Sequence, residues 1–410
     1  MVIRHSFLGN PFLNHQDTPP APEIRVDRNW MRLALQLAFR GQGHVEPNPM
    51  VGCVIVVPSD DPTKAGRLIG QGWHRRYGQS HAEVEAIADV HRNGYSDLLE
   101  QATAYVTLEP CCHQGKTPPC TSALIQANLQ RVVIAVEDPF ESVSGQGILT
   151  LQKAGIRVDV GVLEAEAADL NGPFFKAQKK GMPWVIAKWA MTLDGKLATS
   201  AGDSKWISNE ACRELVHQLR GRVDGVMVGS GTALADDPGL TARPKDRKSI
   251  RRIATRIVID QQLKLELTSQ LVKTANETPV VVFCGSLDGE LVEKASQFEQ
   301  AGVQVVGFES KTADGPNVWT NLPSVLEQLG EMGMQNILLE GGGSALGSFF
   351  DQDLIDEVHV FVAPVIAGSK SAVTPVGGTG VQKMVEALRL RDQRSEMVGD
   401  NWYVSGRVQR

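Results

Sequence analysis

Short apolar runs separated by helical patterns organise the first part of the chain. Val51–Val57 and Leu68–Trp73 predict the two strands of a hairpin. Ala104–Leu108, Val132–Val136 and Val158–Val162 predict three further strands, the last of them at a sheet edge. Strands that alternate with helices indicate an α/β layer with helices on both faces. The predicted helices are Trp30–Arg40, His81–Arg92, Cys120–Asn128, Ile148–Ala154 and Glu164–Lys180.

The second part of the chain repeats this alternation with an unrelated sequence. A polar helical stretch ends at Gly181 and Pro183, and a new strand, Trp184–Lys188, follows. We expect a domain boundary there, and a length of 410 residues agrees with two or three domains. The predicted divisions are a flexible N-terminal arm at 1–26, a first domain at 27–172, a linker at 173–182 and a second domain at 183–410. The other predicted elements are helices Asn209–Arg220 and Ser324–Met332 and strands Gly225–Val228, Arg256–Asp260, Val280–Phe283, Asn336–Glu340, Glu357–Pro364 and Trp402–Val408.

Composition and charge narrow the possible functions. A formal net charge of -6 argues against a nucleic-acid binder, because such proteins neutralise several phosphates with a basic surface. No apolar run approaches the roughly 20 residues that span a bilayer. The N-terminal residues lack the apolar core of a signal peptide, so we expect a cytoplasmic protein. A small anionic substrate is compatible with this charge, and a homo-oligomer is neither required nor excluded by the sequence.

The strongest chemical signal is a histidine, a carboxylate and two cysteines in separate segments. His81 and Glu83 open a predicted helix, Cys111 follows a predicted strand, and Cys120 opens another helix. An imidazole and two thiolates suit Zn²⁺ and leave the fourth tetrahedral position for water, which is typical of catalytic zinc. Hydrolytic deamination also needs a carboxylate that does not bind the metal, and Glu83 could supply it.

Each of these residues also has a simpler interpretation. Ser80 and Glu83 match a capping box that would only close the start of the helix. Cys111, Cys112 and Cys120 could be ordinary buried thiols. The joint occurrence of the histidine, the carboxylate and the two cysteines favours zinc catalysis over these separate explanations.

The spacing of the cysteines departs from the general signature of zinc nucleobase deaminases, H-x-E followed by P-C-x-x-C, because a longer loop separates Cys111 from Cys120. Five segments together closely resemble the deaminase half of the bifunctional riboflavin-biosynthesis deaminase/reductase family, in which the longer spacing is the normal form. These segments are Pro47–Gly52, His81–Glu83, Thr107–Cys111, Gly115–Cys120 and Glu137–Pro139.

The resemblance implies roles for individual residues of the first domain. It makes His81, Cys111 and Cys120 the zinc ligands and Glu83 the proton shuttle, and it gives Cys112 no ligand role. Two further residues are predicted to bind the substrate, Asn48 by its amide and Lys116 by its charge. By themselves, these two could equally be a turn asparagine and a solvated loop lysine.

The second domain carries four further segments of note. Three of them are Lys188–Lys196, Gly202–Ser208 and Val228–Arg243, and the fourth, Leu338–Leu346, places three glycines between a predicted strand and a helix. Such a turn lets backbone N–H groups approach a phosphate, although it does not match G-x-G-x-x-G and glycine after a strand is often a simple turn.

These four segments resemble the reductase half of the same family, which is similar in fold to dihydrofolate reductase and uses NADPH. The implied fold class is α/β throughout, a cytidine-deaminase-like three-layer domain followed by a dihydrofolate-reductase-like domain. The residues implied to bind the cofactor are Ala190, Trp206, Thr232, Asp236, Gly342, Gly343, Ser344, Ala345, Leu346, Gly347 and Ser348. The residues implied to face the substrate are Ser204, Arg220, Leu240, Arg243 and Glu340, with both arginines suited to a phosphate or, alternatively, to surface salt bridges.

The resemblance implies two consecutive reactions on one phosphorylated pyrimidine. The deaminase would convert a diaminopyrimidinone ribosyl phosphate to the aminouracil, and the reductase would pass hydride from NADPH to the sugar C1. Two other interpretations stay open at this point. One is an RNA or DNA base deaminase with an accessory domain, which the acidic charge disfavours. The other is a binding protein with a structural zinc, which the lack of a fourth protein ligand disfavours.

Overall fold

The computed structural model describes residues 22–61, 63–114, 118–140, 144–308 and 321–409. The chain divides into two compact units, residues 1–179 and 180–410. Residues 22–26, predicted as part of the N-terminal arm, belong to the first helix, and the rest of that arm lies outside the described residues. Among the described residues, no helix combines the length and apolar character that crossing a bilayer requires.

The first unit is built on a five-stranded sheet with strand order β2-β1-β3-β4-β5. β1 is antiparallel to β2 and β3, which confirms the predicted hairpin, and β3, β4 and β5 are parallel. Its strands are β1 Gly52–Val57, β2 Arg67–Trp73, β3 Thr103–Val106, β4 Arg131–Ile134 and β5 Arg157–Val160. Its helices are α1 Pro22–Ala38, α2 Ala82–Arg92, α3 Cys120–Gln126, α4 Gln146–Lys153, α5 Glu164–Leu170 and α6 Gly172–Lys180.

Both faces of this sheet are buried, as β1 illustrates. Val54 and Val56 pack on the face covered by α1 and α5, whereas Cys53 and Ile55 pack on the face covered by α2, α3 and α4. Side chains alternate between the two faces of a strand, so an uninterrupted apolar run requires cover on both sides. The predicted α/β layer with helices on both faces is confirmed.

Two glycines in β2 let α2 lie directly on the sheet. A Cβ atom at Gly70 would come within 2.6 Å of the Ala86 carbonyl oxygen, and one at Gly72 within 2.5 Å of the Ala82 carbonyl oxygen. Any side chain at either position would push the helix away. This contact fixes the height of the N-terminus of α2 above the sheet.

The predicted helix Glu164–Lys180 is two helices, α5 and α6, that meet at Asn171. The buried Asn171 amide accepts a hydrogen bond from Met50 N and donates one to Met50 O, at 2.8 and 2.9 Å. These bonds to another segment hold Asn171 at the junction, and Pro173 is tolerated in the first turn of α6. The predicted linker at 173–182 is therefore largely helical, and Phe175 packs against the core of the first unit.

The second unit is built on a nine-stranded sheet with strand order β10-β9-β8-β7-β11-β6-β12-β14-β13. The seven strands from β10 to β12 are parallel, and β14 and β13 extend the sheet in antiparallel fashion. The strands are β6 Trp184–Thr192, β7 Gly225–Gly229, β8 Thr255–Ile259, β9 Val280–Cys284, β10 Gln304–Gly307, β11 Asn336–Glu340, β12 Glu357–Ala363, β13 Leu390–Val398 and β14 Asn401–Val408. The helices are α7 Glu210–Arg220, α8 Ser230–Asp236, α9 Gln270–Lys273, α10 Glu290–Gln300, α11 Leu322–Glu331 and α12 Gly343–Asp351.

Helices cover both faces of the parallel part of this sheet. On one face Met227 of β7 packs with α11 and α12, and on the other Val226 and Val228 pack with α7, α8, α9 and α10. Because β6 and β11 are parallel neighbours in register, Lys188 lies beside Glu340. This pairing brings the ends of two sequence-distant segments together.

The sequence patterns did not predict five of these elements, namely α8, α9, α10, β10 and β13. β13 has mostly exposed or half-buried positions because it is the last strand of the sheet. It therefore lacks the apolar run that marks the other strands.

Candidate functional site

Three donor atoms converge at the end of the first sheet where β3 ends and its antiparallel neighbour β1 begins. Nδ1 of His81 lies 3.3 Å from Sγ of Cys120 and 3.6 Å from Sγ of Cys111. All three donor atoms lie within 4.8 Å of one another, which is the separation expected around one metal ion. The donor set, one imidazole and two thiols, fits zinc, and no fourth protein ligand joins it among the described residues.

These three side chains lie at the N-termini of two helices and just after the end of a strand. His81 is the N-cap of α2, Cys120 is the first residue of α3, and Cys111 follows β3. The backbone N–H of Cys120 donates to Sγ of Cys111 at 3.3 Å. Hydrogen bonding from Cys120 and His81 holds the pKa of the Cys111 thiol far below its usual range, which favours the thiolate that metals bind.

Glu83 points into the interior beside these ligands. Its side chain is 3% exposed, and its Oε2 has no hydrogen-bond partner among the described residues. Burial, with a contribution from Cys111, raises the pKa of the Glu83 carboxyl to about 7. The capping box considered for Ser80 and Glu83 is not formed, because His81 is the N-cap and α2 has no side-chain cap hydrogen bond. Glu83 therefore presents a buried carboxyl group beside the three donor atoms, and its part in proton transfer stays a prediction.

His74 joins Asn48 to the ligand cluster, a link that the sequence patterns did not reveal. Its ring lies edge-on to the His81 ring, with the centroids 5.1 Å apart. Nδ1 of His74 lies 3.1 Å from the carbonyl oxygen of Ser80 and must donate to it. Nε2 is then an acceptor for the Asn48 amide nitrogen at 3.2 Å, which turns the Asn48 Oδ1 away from His74.

Glu109 forms hydrogen bonds with the backbone of the segments near Cys111. It is 4% exposed, and its two carboxylate oxygens accept backbone N–H bonds from Asp138, Gly145, Gly147 and Ile148. A carboxylate with four such bonds needs no counter-ion in the interior. Lys116, the other predicted substrate residue of this unit, lies outside the described residues.

The second unit contains a buried cluster of charges at the carboxyl end of β11. Nε and Nη2 of Arg220 donate to the two carboxylate oxygens of Glu340 at 2.5 and 2.9 Å, and Nζ of Lys188 lies 3.8 Å from Glu340 Oε2. Although burial opposes ionisation, Arg220 and Lys188 lower the pKa of Glu340 to about 2. Lys188 was absent from the predicted site residues, because only the parallel pairing of β6 with β11 brings it to Glu340.

The other predicted substrate residues of this unit surround α7. Arg220 Nη1 donates to the carbonyl oxygen of Thr241 at 3.3 Å, which ties α7 to the segment that carries Leu240 and Arg243. Leu240 is buried with a positive φ of 50°, whereas Arg243 is exposed. Ser204 is half-buried in the loop before α7.

The predicted cofactor residues lie at four places in the second unit, namely β6, the loop before α7, α8 and the glycine turn that begins α12. Ala190 is half-buried in β6, Trp206 is 73% exposed with the Arg213 guanidinium 4.5 Å from its ring, and Asp236 ends α8. Thr232 Oγ1 accepts a hydrogen bond from Gly342 N at 3.0 Å, so α8 contacts the glycine turn.

The glycine turn is less accessible than its sequence suggests. A Cβ at Gly343 would lie 2.3 Å from the Thr374 carbonyl oxygen, and one at Gly347 would lie 2.3 Å from the Gly377 carbonyl carbon. These two glycines therefore allow the 374–378 segment to pack against α12. The structure also buries Ala345, Leu346 and Ser348, which leaves Gly342 and Ser344 as the accessible members of the predicted set.

Comparison with known families divides the chain in the same way as its folded units. Residues 24–136 match the family described as the cytidine and deoxycytidylate deaminase zinc-binding region. Residues 183–404 match the family described as the RibD C-terminal domain.

Similar proteins match almost the whole chain. The riboflavin biosynthesis protein RibD of Actinobacillus pleuropneumoniae is 40% identical over 92% of this chain and 94% of its own length. The RibD of Aquifex aeolicus is 38% identical over 92% of this chain and 97% of its own length. Acinetobacter baumannii RibD is 32% identical, with a TM-score of 0.77 over 94% of this chain and 100% of that structure.

A second solved structure carries both activities in its description. The Thermotoga maritima protein is described as a diaminohydroxyphosphoribosylaminopyrimidine deaminase/5-amino-6-(5-phosphoribosylamino)uracil reductase. It is 33% identical to this chain, with a TM-score of 0.76 over 94% of this chain and 99% of that structure.

Proposed function

The chain belongs to the RibD family of riboflavin-biosynthesis proteins, and on that basis we propose which residues carry its two reactions. It is a bifunctional enzyme, with a zinc-dependent deaminase in its first part and an NADPH-using reductase in its second. The proposed substrates are those in the description of the Thermotoga maritima protein. A nucleic-acid base deaminase or a structural zinc protein would leave the reductase match unexplained.

The deaminase reaction is proposed to use the cluster around His81. His81, Cys111 and Cys120 would hold the zinc, which would supply Lewis acidity toward the attacking water. Glu83 carries protons to the pyrimidine ring and to the departing amine, which requires a carboxylate outside the ligand set. Asn48 would accept a ring N–H at its Oδ1, since one N–H of its amide nitrogen donates to His74 and sets the orientation of the amide. Lys116 remains a proposed phosphate contact from its sequence position.

The reductase reaction is proposed to take place beside the charge cluster of Glu340. NADPH would supply the hydride that reduces C1 of the ribosyl group, and with a proton this converts the ribosyl group to a ribityl chain. The accessible residues proposed to hold the cofactor are Trp206, Thr232, Gly342 and Ser344. Ala190, which is half-buried in β6, and Asp236, which ends α8, are proposed to contact it as well.

The substrate is proposed to bind on the α7 side of this unit. Arg220 and Lys188 keep Glu340 ionised, which leaves a carboxylate next to the proposed sugar site. Arg243 holds the phosphate with its exposed guanidinium, because that group forms two parallel bonds to phosphate oxygens. Ser204 and Leu240 would complete the substrate contacts.

One observation carries this assignment. The three soft donor atoms lie within 4.8 Å of one another beside a carboxylate that is 3% exposed. The direct test supplies the diaminopyrimidinone ribosyl phosphate to zinc-loaded protein and measures ammonia with and without NADPH. Ammonia should form in both cases, whereas the ribityl product should form only with NADPH. Absence of ammonia from zinc-loaded protein would contradict the proposed deaminase assignment.

The proposed domain division, with the boundary near Gly181, predicts that the two activities separate. Residues 1–180 alone should deaminate and residues 181–410 alone should oxidise NADPH, because each part has its own sheet and core. Ammonia release and the change in NADPH absorbance measure the two activities. A matched control fragment, residues 1–171, lacks Phe175 and its packing and should be less stable. Inactivity of the longer fragment would mean that the boundary is misplaced.

Arg243→Ala is expected to weaken binding of the phosphorylated aminouracil and to leave NADPH binding unchanged. Charge-assisted hydrogen bonds contribute about 1.5–3 kcal/mol, so kcat/KM should fall by roughly tenfold or more. Most of this loss should vanish with a substrate that lacks the phosphate, because both changes remove the same interaction. If the two losses multiply, Arg243 does not bind the phosphate. Ammonia release is the internal control and should not change.

The remaining proposals concern partners and location. The phosphorylated pyrimidine is the proposed partner, and binding to nucleic acid or to membranes is not proposed because the net charge is -6. A cytoplasmic location agrees with the family's small-molecule chemistry. A homo-oligomer is compatible with these assignments, and sedimentation would determine it.

A further inference from the structure

The segment that carries Arg243 lies along one side of α7. Three groups on successive turns of this helix hold alternate residues of the segment. The contacts are Arg220 Nη1 to Thr241 O at 3.3 Å, Arg243 N to His217 Nδ1 at 3.3 Å, and Lys245 N to Glu214 Oε2 at 2.9 Å. The three helix residues are spaced i, i+3 and i+6, so they lie on one face of α7, and the segment runs antiparallel to the helix along that face.

His217 is the middle contact and the one nearest to the proposed phosphate residue. A backbone N–H can only donate, so the Nδ1 that receives the Arg243 N–H carries no proton and the ring is neutral. The charged groups that face the ring are Arg220, Arg243 and Glu340, and burial together with the two arginines lowers the pKa of His217.

We infer that His217 is a positioning residue of the reductase, which fixes the backbone at Arg243 so that the exposed guanidinium is held ready for the substrate phosphate. The inference rests on the proposed role of Arg243. A flexible arginine on a loose segment would lose conformational freedom on binding, and a fixed backbone reduces that cost. His217 touches neither cofactor nor substrate in this assignment, so its effect is on substrate affinity rather than on the hydride step.

Two variants of the full-length protein separate an acceptor role from a packing role. His217→Leu keeps a branched apolar side chain but removes the acceptor, whereas His217→Asn places its Oδ1 the same number of bonds from Cα as Nδ1. His217→Leu should raise the KM for the phosphorylated aminouracil by about two- to tenfold, the range for one neutral hydrogen bond, and leave kcat unchanged. His217→Asn should restore most of the affinity.

Four controls define the outcome. Glu210→Gln removes an exposed contact of α7 with Lys245 of the same segment and should leave the KM unchanged. The KM for NADPH should stay constant in every variant, which shows that the reductase unit is folded. With the dephosphorylated substrate His217→Leu should have no effect, and added to Arg243→Ala it should cause no further loss.

The possible failures are distinguishable. If Arg243→Ala raises the KM but His217→Leu does not, the positioning inference is overturned and the proposed role of Arg243 stands. If His217→Leu raises the KM equally with and without the phosphate, its effect is general packing and the inference is again overturned. If Arg243→Ala has no effect, the proposed phosphate site itself is wrong.

Discussion

Glu83→Gln is expected to leave zinc bound and to lower the rate of ammonia release by roughly two to four orders of magnitude. The amide has nearly the same shape as the carboxylate and fits the same buried space, but it cannot take up and return a proton. Glu83 is also not among the three converging donor atoms, so the metal should stay. Zinc analysis of the purified variant and an ammonia assay measure the two effects separately.

Cys120→Ser is the matched control for this prediction. It removes one thiolate from the donor set and should lower both zinc content and ammonia release, because the hydroxyl is a poorer ligand for zinc. Both variants should oxidise NADPH normally when the aminouracil is supplied directly, since their positions belong to the first unit. Ammonia release at the parental rate from Glu83→Gln would show that Glu83 is not the proton carrier.

Arg220→Ala is expected to destabilise the second unit and to abolish most of its reductase activity. Removal of one partner from a buried ion pair costs about 3–5 kcal/mol, because the remaining charge is left without compensation. Lys188 stays 3.8 Å from Glu340 in the variant, so we expect a loss near the lower limit, about 3 kcal/mol. The loss of Arg220 should also raise the pKa of Glu340, since Arg220 contributes most to lowering it.

Urea unfolding followed by tryptophan fluorescence tests this expectation, because most of the tryptophans lie in residues 180–410. The matched control is Lys245→Ala, which breaks the fully exposed pair with Glu210 and should leave the unfolding midpoint unchanged. A second variant, Lys188→Met with Arg220→Met and Glu340→Met, replaces all three charged groups of the cluster by apolar side chains. It should recover much of the stability while remaining inactive, because no charge of the cluster is left buried without a partner. A triple variant as unstable as Arg220→Ala would contradict this explanation.

The sequence alone predicted the parts of the fold that depend on local pattern. The buried strands of both sheets were predicted because an apolar run that is covered on two faces has no polar interruptions. Other features of the fold were not predicted from the sequence pattern. β13 was missed because its side chains are largely exposed, and the break between α5 and α6 was missed because Asn171 bonds to Met50 in another segment.

The candidate metal ligands were also predicted from local signals, since each lies next to the end of a helix or strand that the hydrophobic pattern marks. The donor atoms of these three residues come within 4.8 Å of one another because of the order of strands in the first sheet. Residues that act through contacts across the fold gave no such signal. His74 reaches Asn48 because β1 and β2 pair in antiparallel fashion with Gly52 opposite Trp73, and Lys188 reaches Glu340 because β6 and β11 are parallel neighbours. The residue types and their spacing along the chain show which side chains could form a site. Which distant charged residues come into contact is decided only by the tertiary structure, because these contacts depend on the order of strands in the sheet and not on distance along the chain.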